Sequence, residues 1–331
     1  MTKFDKKYDE IVTVSNLLLA WEKFLAGKRK RNDVAVFQIR LMDNIHFLHR
    51  DLKEKTYIHG TYQAFNISDP KPRNIHKATV RDRLLHHLLY RETYKYFNSR
   101  FINDSYSCRI GKGTHRAIKK FEEMSRQASF NHNHTVWALK CDIRKFFASI
   151  DHQILKNILS RYIEDKELLW LFGKVIDSFY TAGREGVGLP LGNLTSQLLV
   201  NVYMNEFDQF VKSTLKIKFY VRYADDFIFL DQDRDKLVKL LPKLEDFLID
   251  TLKLTMHPKK VFLKTLASGV DFLGWIQFTE HRVLRTTTKH RMFKKLRNDN
   301  KSVVANAYLA LLKYGAAHKL KKKIGLADRV L

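Results

Sequence analysis

The sequence is short of cysteine, of proline and of long apolar runs. Its 331 residues include two cysteines, Cys108 and Cys141, and five prolines. Two cysteines exclude a disulfide framework and favour a reducing compartment. The scarcity of proline beside 45% hydrophobic residues excludes a disordered chain and leaves enough apolar residues for a sizeable core.

Signals for secretion and for membrane insertion are also missing. Residues 12–20 are apolar but short, and Thr13, Ser15 and Asn16 interrupt them, which is not the pattern of a signal peptide. No run approaches the roughly 20 apolar residues that a membrane span requires. We therefore expect a soluble protein in the cytosol, without a membrane partner.

Negative charge is scarce relative to positive charge. The chain has 60 Lys and Arg against 35 Asp and Glu, which gives a formal net charge of +25 at pH 7. A surface this basic attracts a polyanion, and nucleic acid is the usual one. The charge alone also fits a basic protein associated with ribosomes, so it does not identify the function.

Apolar spacing predicts helices and short strands in irregular alternation. Helical spacing occurs in residues 1–60, 80–97, 151–158, 167–179, 194–211 and 236–252, and from residue 282 onward. Residues 62–75 suggest an irregular or strand segment, and strand-like runs occupy residues 136–143, 219–223, 227–230 and 270–278. No internal repeat is visible. This pattern predicts an α+β fold in which a sheet carries helices on one face.

Three aspartates lie beside apolar strands. Asp142 falls at the end of the run 136–143, and Asp225 and Asp226 occupy the tip of a predicted hairpin. Ionised acids in such places cost free energy, and adjacent acids raise one another's pKa. Two Mg²⁺ ions about 4 Å apart would relieve both costs, activate a 3′-hydroxyl and stabilise pyrophosphate. Alternatively, the acid pair is a common turn sequence, and Asp142 only ends a strand or caps a helix.

The residues around these acids resemble the motifs of reverse transcriptases. Tyr223-Ala-Asp-Asp226 resembles the Tyr-x-Asp-Asp box, and Asp142-Ile-Arg-Lys-Phe-Phe147 resembles the first catalytic box. Further segments resemble the family's other motifs in the same order, at residues 73–83, 105–115, 188–197, 254–260 and 272–275. The resemblance spans roughly residues 70–275.

The resemblance implies a right-hand polymerase fold with three parts. Residues 1–135 would form an N-terminal extension and the fingers. Residues 136–280 would form the palm, an antiparallel sheet with helices on one face, together with some of the helices between fingers and palm. Residues 281–331 would form a helical thumb that holds an RNA–DNA hybrid by its backbone. The basic thumb segment could instead be an ordinary solvated face.

The resemblance also implies a set of site residues. Asp142, Asp225 and Asp226 would be catalytic and would bind two Mg²⁺ ions, with the backbone carbonyl of Ile143 as a further metal ligand. The incoming nucleotide would be bound by Arg73, Arg81, Phe147, Leu191, Gly192 and Lys260. Template and primer would contact Arg83, Arg109, Ser196, Gln197, Tyr223 and Gly274.

Several of these roles have structural alternatives. Phe147 resembles the aromatic steric gate that excludes ribonucleotides, but it could belong to the core, as we expect of Phe146. Arg83 could bind phosphate through its guanidinium or lie on a solvated helix face. Lys260 resembles the lysine proposed to protonate pyrophosphate, although it and the adjacent Lys259 could both be surface charges.

One departure narrows the resemblance. Most reverse transcriptases carry Gln-Gly in the loop at 188–197 and Ser-Pro at its end, whereas this chain has Leu191-Gly192 and Ser196-Gln197. The pattern Leu-Gly-Asn-Leu-Thr-Ser-Gln resembles reverse transcriptases of diversity-generating retroelements. These prokaryotic enzymes, related to those of group II introns, make error-prone cDNA in mutagenic retrohoming, with errors at template adenines. We expect Leu191, which lacks a polar side chain, to loosen geometric checking of the nucleotide.

The resemblance implies partners as well. These are a template RNA, the RNA–DNA hybrid, dNTPs and a small basic accessory protein that forms a pentamer, in a prokaryotic or phage-encoded system. We expect no RNase H domain, endonuclease or large maturase extension. The alternatives are a retron or group II intron-type reverse transcriptase of ordinary fidelity, an abortive-infection-type defence polymerase, or a non-catalytic RNA-binding protein that keeps the polymerase fold.

Overall fold

The structure is a computed structural model that describes residues 2–68, 72–298 and 302–327. Its helices are α1 (Tyr8–Ile11), α2 (Val14–Leu25), α3 (Asn32–Ile39), α4 (Leu41–Lys53), α5 (Val80–Asn98), α6 (Thr114–Ala128), α7 (His152–Tyr162), α8 (Lys166–Ile176), α9 (Leu194–Gln209), α10 (Arg234–Leu252), α11 (Thr286–Asn298), α12 (Ser302–Leu312) and α13 (His318–Ala327). Its strands are β1 (Gln63–Ile67), β2 (Arg73–Lys77), β3 (Trp137–Asp142), β4 (Tyr220–Tyr223), β5 (Asp226–Asp231), β6 (Phe262–Thr265), β7 (Val270–Phe272), β8 (Trp275–Gln277) and β9 (Arg282–Leu284).

The described chain divides into two compact units, each made of three segments. Unit 1 consists of Met1–Asn103, Ile143–Leu215 and Glu245–Thr255, and unit 2 of Asp104–Asp142, Lys216–Leu244 and Met256–Leu331. The boundaries predicted near residues 135 and 280 separate fingers, palm and thumb, whereas the two units are defined by contacts between residues. The predicted boundaries therefore stay a prediction. Met1 in the predicted extension, residues 69–71 in the predicted strand region 62–75, and residues 299–301 and 328–331 in the predicted thumb lie outside the described residues.

Unit 1 is mainly helical and carries one small hairpin. Its central helix α9 is apolar on most sides and is buried along nearly its whole length. Within this unit the Tyr203 hydroxyl on α9 donates to the Leu252 carbonyl at 2.6 Å, which fixes the end of α10. Strands β1 and β2 pair antiparallel, with Phe65 opposite Ile75. Helix α7 begins where expected, because Asp151 caps it by accepting from the Ile154 amide at 3.0 Å.

Unit 2 is built on an antiparallel sheet with the strand order β4-β5-β3-β6. Strands β7, β8 and β9 form a second, three-stranded antiparallel sheet. One apolar cluster joins these elements: Ile228 of the first sheet, Phe121 of α6 and Trp275 of β8 are all buried in it. Phe121 and Phe272 lie with ring centroids 5.6 Å apart. The sheets are thus held by side chains from α6 and from the C-terminal helices.

Most predicted elements are confirmed, and the α+β class is confirmed with them. The predicted strand 270–278 is wrong as one element, because the turn at Leu273 and Gly274 divides it into β7 and β8. Residues from 282 onward begin with strand β9 before they become helical. Helix α6 was not among the predicted elements. None of the described helices is long and apolar enough to cross a membrane.

Candidate active site

Strand register in unit 2 brings two of the three aspartates together. Strand β3 pairs with β5 so that Asp142 lies opposite Asp226, and β4 pairs with β5 so that Tyr223 also lies opposite Asp226. Asp225 lies between the strands in the tight turn. Ala224 makes this turn possible with a φ of 56°, which is uncommon for a residue other than glycine. The acids therefore occupy one end of the sheet, as the sequence predicted.

A buried arginine braces this turn from within unit 2. Arg222 is 0% exposed. Its guanidinium donates to the Ala224 carbonyl at 3.0 Å and to the Ser105 hydroxyl at 3.0 Å. The backbone of Arg222 also bonds to Asp104 and Tyr106, so strand β4 is held on its outer edge. No role was predicted for Arg222, although a charged residue inside the run 219–223 was a visible signal.

Two lysines contact the paired aspartates. Lys260 Nζ lies 2.8 Å from Asp142 Oδ1, and Lys140 Nζ lies 3.1 Å from Asp226 Oδ2. Its contact with Asp142 distinguishes Lys260 from Lys259, which is exposed and whose backbone amide donates to His257 Nδ1 at 3.2 Å. Lys140 was missed by the sequence analysis, which treated residues 136–143 as one apolar run. A charged residue two positions before Asp142 was the available signal, because alternate residues of a strand share a face.

The electrostatics of the site centre on Asp226. Burial raises the pKa of Asp226 to about 7, and the charges of Asp142 and Asp225 act in the same direction, while Lys140 opposes them. Asp226 Oδ1 is buried and has no hydrogen-bond partner among the described residues. A buried carboxylate oxygen without a partner is costly, so this atom is suited to a cation.

The donor set fits a hard divalent cation, since it consists of carboxylate oxygens with one of them unsatisfied. The two lysines also place positive charge beside Asp142 and Asp226. In the described part of the chain, no three His, Cys, Asp or Glu side chains converge closely enough to hold a metal ion. The predicted metal set of Asp142, Ile143, Asp225 and Asp226 therefore stays a prediction.

In unit 1 the predicted nucleotide loop meets strand β2. The His76 amide donates to the Leu191 carbonyl at 2.9 Å, and the Asn193 side chain donates to the His76 carbonyl at 2.8 Å. Gly192 has a φ of 106°, and a Cβ added there would lie 2.8 Å from Ile75 Cγ2. Glycine is therefore required at position 192 for the close approach of the loop to β2.

The predicted fingers arginines of unit 1 have different surroundings. Arg73 begins β2 and is exposed. Arg81 pairs with Asp51 at 2.5 Å and lies over the Tyr57 ring. Arg83 is 9% exposed and pairs with Asp33. The alternative that Arg83 lies on a solvated helix face is therefore wrong, because it packs its guanidinium against Phe24 in the interior of the unit.

Arg83 lines a cavity of about 300 Å³ in unit 1. Gly192 and the predicted template residue Gln197 line the same cavity, together with Lys28 and Arg31 of the basic segment before α3. Burial lowers the pKa of Lys28, and the charges of Arg31 and Arg83 lower it further. The cavity thus concentrates positive charge, which favours an anionic occupant such as phosphate.

Phe146 and Phe147 differ in burial, as the sequence predicted. Phe146 is 3% exposed and belongs to the core, whereas Phe147 is half-buried. The Phe147 carbonyl accepts from the Leu189 amide at 2.8 Å, which ties this residue to the start of the glycine loop. The core assignment of Phe146 is confirmed, and the gate role of Phe147 stays a prediction.

The remaining predicted template and primer residues are spread over both units. In unit 1, Ser196 is 2% exposed within α9, so its hydroxyl is not presented at the surface. In unit 2, Arg109 donates to the Ser105 carbonyl, Tyr223 accepts from the Thr114 hydroxyl, and the Gly274 carbonyl accepts from the Arg285 amide.

Each unit therefore gathers one part of the predicted set. Unit 2 holds the three aspartates beside Lys260 and Tyr223, and unit 1 holds the glycine loop beside β2 and Arg83. A cluster of acids and lysines at the end of a sheet is suited to phosphoryl chemistry, in which charge must be neutralised around a reacting phosphorus.

Comparison with known proteins agrees with this chemistry. The family model described as "Reverse transcriptase (RNA-dependent DNA polymerase)" matches residues 68–277. Protein YkfC of Escherichia coli K12 is 24% identical over 261 residues, which cover 67% of this chain and 66% of that protein. The group II intron-encoded protein LtrA of Lactococcus lactis subsp. cremoris is 26% identical over 177 residues, which cover 51% of this chain and 28% of that protein.

Among solved structures, apo telomerase from Candida tropicalis, truncated from its C-terminal domain, aligns with a TM-score of 0.49 and 11% identity. That alignment covers 70% of this chain and 54% of the telomerase chain. The chain thus spans just under two thirds of YkfC and less than a third of LtrA.

Proposed function

The chain belongs to the reverse transcriptase (RNA-dependent DNA polymerase) family, and we propose that it is an RNA-directed DNA polymerase. The observation that carries this proposal is the β3–β5 register, which sets Asp142 opposite Asp226 beside the Tyr223–Asp226 turn. Twin acids at a turn have many uses, but a third acid opposite them, on the neighbouring strand, is what two-metal nucleotidyl transfer requires.

Acids and a lysine of unit 2, together with Ile143 at the start of a unit 1 segment, would carry the chemistry. Asp142, Asp225 and Asp226, with the carbonyl of Ile143, would hold two Mg²⁺ ions. Those ions, when bound, supply activation of the primer 3′-hydroxyl and neutralisation of the triphosphate. Lys260 is 41% exposed at its side chain and touches Asp142, so it can reach a leaving group near that acid and give it a proton.

The residues of unit 1 would bind nucleotide and template. Arg73 and Arg81 would contact the triphosphate, and Phe147 would exclude a 2′-hydroxyl. The charged cavity beside Gly192 would hold template phosphate through Arg83, while Gln197 supplies an amide. Ser196 of unit 1 and Arg109, Tyr223 and Gly274 of unit 2 would contact template or primer, Ser196 only indirectly because it is buried.

The test is primer extension by purified protein on an RNA template with dNTPs and Mg²⁺. We expect DNA product from the wild type and none above background from Asp226→Asn or Asp225→Ala. Circular dichroism checks that all three proteins are folded. Equal extension by the wild type and the two variants would refute the proposal. A chain that binds RNA but extends no primer would indicate the non-catalytic alternative.

We further propose that synthesis is error-prone and that the enzyme serves a diversity-generating retroelement. Leu191 and Gln197 support this subtype, since they replace the Gln and Pro of most reverse transcriptases. The similarity to a group II intron-encoded protein favours the second candidate, a reverse transcriptase of ordinary fidelity. Sequencing of the cDNA separates them, because the first predicts substitutions concentrated opposite template adenine.

Leu191→Gln is the matched variant for this question. The Leu191 carbonyl already bonds to the His76 amide, so the substitution changes the side chain and keeps the backbone contact. We expect the error frequency opposite adenine to fall at least threefold, with errors opposite the other bases unchanged. An unchanged adenine error frequency would remove Leu191 from the explanation of low fidelity.

The partners and location complete the proposal. We propose a cytoplasmic enzyme of a prokaryote or phage that works with a structured template RNA and a small basic accessory protein. This chain has a net charge of +25, so it would repel another basic protein, and an RNA that binds both would offset the repulsion. Co-purification that requires the RNA and is lost after ribonuclease treatment is the expected result.

A further inference from the structure

Lys140 has an unusual position for a lysine. Strand β3 is flanked on both sides, and Lys140 is opposite Ile228 on β5 and opposite Phe262 on β6. Its side chain is only 12% exposed. Removing an ammonium group from water costs free energy, so a lysine here needs strong partners in a fixed geometry.

Lys140 Nζ has two such partners in unit 2. It lies 3.1 Å from Asp226 Oδ2 and donates to the backbone carbonyl of Asp271 at 2.7 Å. The other oxygen of Asp226 has no hydrogen-bond partner among the described residues. The contact with Lys140 therefore restrains the orientation of the Asp226 carboxylate.

The second partner belongs to a hairpin that is itself firmly held. Asp271 is on β7, and its Oδ2 accepts from Arg285 Nη1 at 2.7 Å. The amide of Arg285, the residue after β9, donates to the carbonyl of Gly274 in the β7–β8 turn at 3.1 Å. In that turn Leu273 and Gly274 have φ values of 52° and 88°. The ammonium group of Lys140 thus connects Asp226 to the β7–β8 hairpin, which contains Gly274, a residue proposed to contact the primer.

We propose that Lys140 is a positioning residue for nucleotidyl transfer, which fixes the Asp226 carboxylate at a set distance from the β7–β8 hairpin. The inference rests on the proposed role of Asp226. The β7–β8 hairpin would position the end of the primer, and Asp226 would position the reaction centre. Because Lys140 contacts both, it would control the alignment of the primer end with the reaction centre. Misplacement of reacting groups by about 1 Å can lower a rate by about 100-fold without preventing binding.

Lys140→Met tests this role, and Lys264→Met is the matched control. Methionine keeps most of the length of the side chain and removes the two polar contacts. Lys264 is on the neighbouring strand β6, opposite Ala138, and lines the same cavity of about 170 Å³ as Lys140. Lys140→Arg keeps the positive charge and several donors, and serves as the conservative variant.

The measurements are kcat and KM for dTTP on an RNA template with a DNA primer, the dissociation constant of that template–primer, and the melting temperature. For Lys140→Met we expect kcat to fall at least 20-fold, with KM and the dissociation constant within twofold of wild type. We expect Lys140→Arg to recover kcat to within about fivefold of wild type, and Lys264→Met to stay within twofold.

Three results would overturn the proposal. One is a kcat of Lys140→Met within twofold of wild type. Another is a fall in kcat matched by equal increases in KM and in the template–primer dissociation constant, which would place Lys140 in binding. The third is an equal loss in Lys264→Met, which would mean that any change in this cavity is harmful.

Two further variants keep the experiment decisive. If Lys140→Met does not fold, Lys140→Gln keeps a hydrogen-bond donor without the charge and is judged by the same kcat and KM criteria. Asp226→Asn distinguishes a failure of the proposed catalytic site from a failure of the proposed role of Lys140. Activity in Asp226→Asn would refute the site assignment itself, whereas an inactive Asp226→Asn beside an unimpaired Lys140→Met refutes only the role of Lys140.

Discussion

Substitution of Gly192 by alanine should lower the unfolding free energy for two reasons, which further variants can separate. The first is backbone strain, since φ is 106° and a Cβ is disfavoured there. The second is a collision, since the new Cβ would lie 2.8 Å from Ile75 Cγ2. Gly186→Ala is the matched control, because Gly186 has a φ of 71° and nothing within 4 Å of an added Cβ.

The expected magnitudes follow from these distances. Strain should cost each variant about 1–3 kcal/mol of unfolding free energy. Overpacking should cost Gly192→Ala about 1–3 kcal/mol more. Ile75→Ala removes the colliding methyl group, so the Gly192→Ala/Ile75→Ala double variant should recover the second cost and keep the first.

The unfolding free energies of the wild type and the four variants are measured by urea unfolding followed by circular dichroism. We expect a coupling free energy of about 1–3 kcal/mol between positions 75 and 192, in the direction of rescue. Equal destabilisation by Gly192→Ala and Gly186→Ala would refute the reasoning. So would a double variant whose loss equals the sum of the two single losses to within about 0.5 kcal/mol.

Three further predictions concern charged groups. Lys260→Met should lower kcat about 100-fold, as the loss of a general acid does, while Lys259→Met leaves kcat unchanged; equal effects would refute the assignment. Arg222→Met should lower the unfolding free energy by about 1–3 kcal/mol in urea, because the Ala224 carbonyl and a buried hydroxyl lose their donor, and a change below 0.5 kcal/mol would contradict this. Burial lowers the pKa of His87 to about 4, with help from nearby positive charges, so the unfolded chain takes up this proton first as pH falls. Stability should therefore decline more steeply between pH 6.5 and 4 in the wild type than in His87→Gln, by up to about 1.4 kcal/mol per pH unit, and parallel profiles would exclude a contribution from His87.

The strands that carry the three aspartates could be predicted from the sequence, but the pairing of those strands could not. Apolar runs located β3 and the β4–β5 hairpin to within one or two residues, because buried strands need consecutive apolar side chains. The register that sets Asp142 opposite Asp226 depends on packing between distant segments, which local periodicity does not contain.

Other features were missed for local reasons. Helix α6 has apolar residues at helical spacing in Ala117, Ile118, Phe121 and Met124, but its many charged and polar residues weaken the apolar pattern. The β7–β8 turn depends on positive φ values at Leu273 and Gly274, and leucine gives no warning of such a conformation.

Lys140 and Arg222 were missed for a different reason. Charged residues are normally exposed, so a pattern of apolar positions treats them as interruptions. Their burial is compensated by particular partners, Asp226 and the Asp271 carbonyl for Lys140 and the Ala224 carbonyl for Arg222, which come from other parts of the chain. Such pairings become predictable only when the strand order is known.

The interleaving of the two units has a consequence for the protein during its synthesis on the ribosome. Unit 1 requires Glu245–Thr255, and unit 2 draws on segments from residue 104 to the C-terminal helices. A nascent chain that has reached residue 215 therefore carries most of unit 1 without the segment in which Leu252 accepts the Tyr203 hydroxyl. The side of α9 that meets this segment, where the Phe207 and Phe247 ring centroids lie 6.1 Å apart, stays uncovered during that interval, in which chaperones bind and aggregation competes with folding. Unit 1 therefore cannot close before residue 255 has been synthesised, and unit 2 cannot close before its C-terminal helices have been.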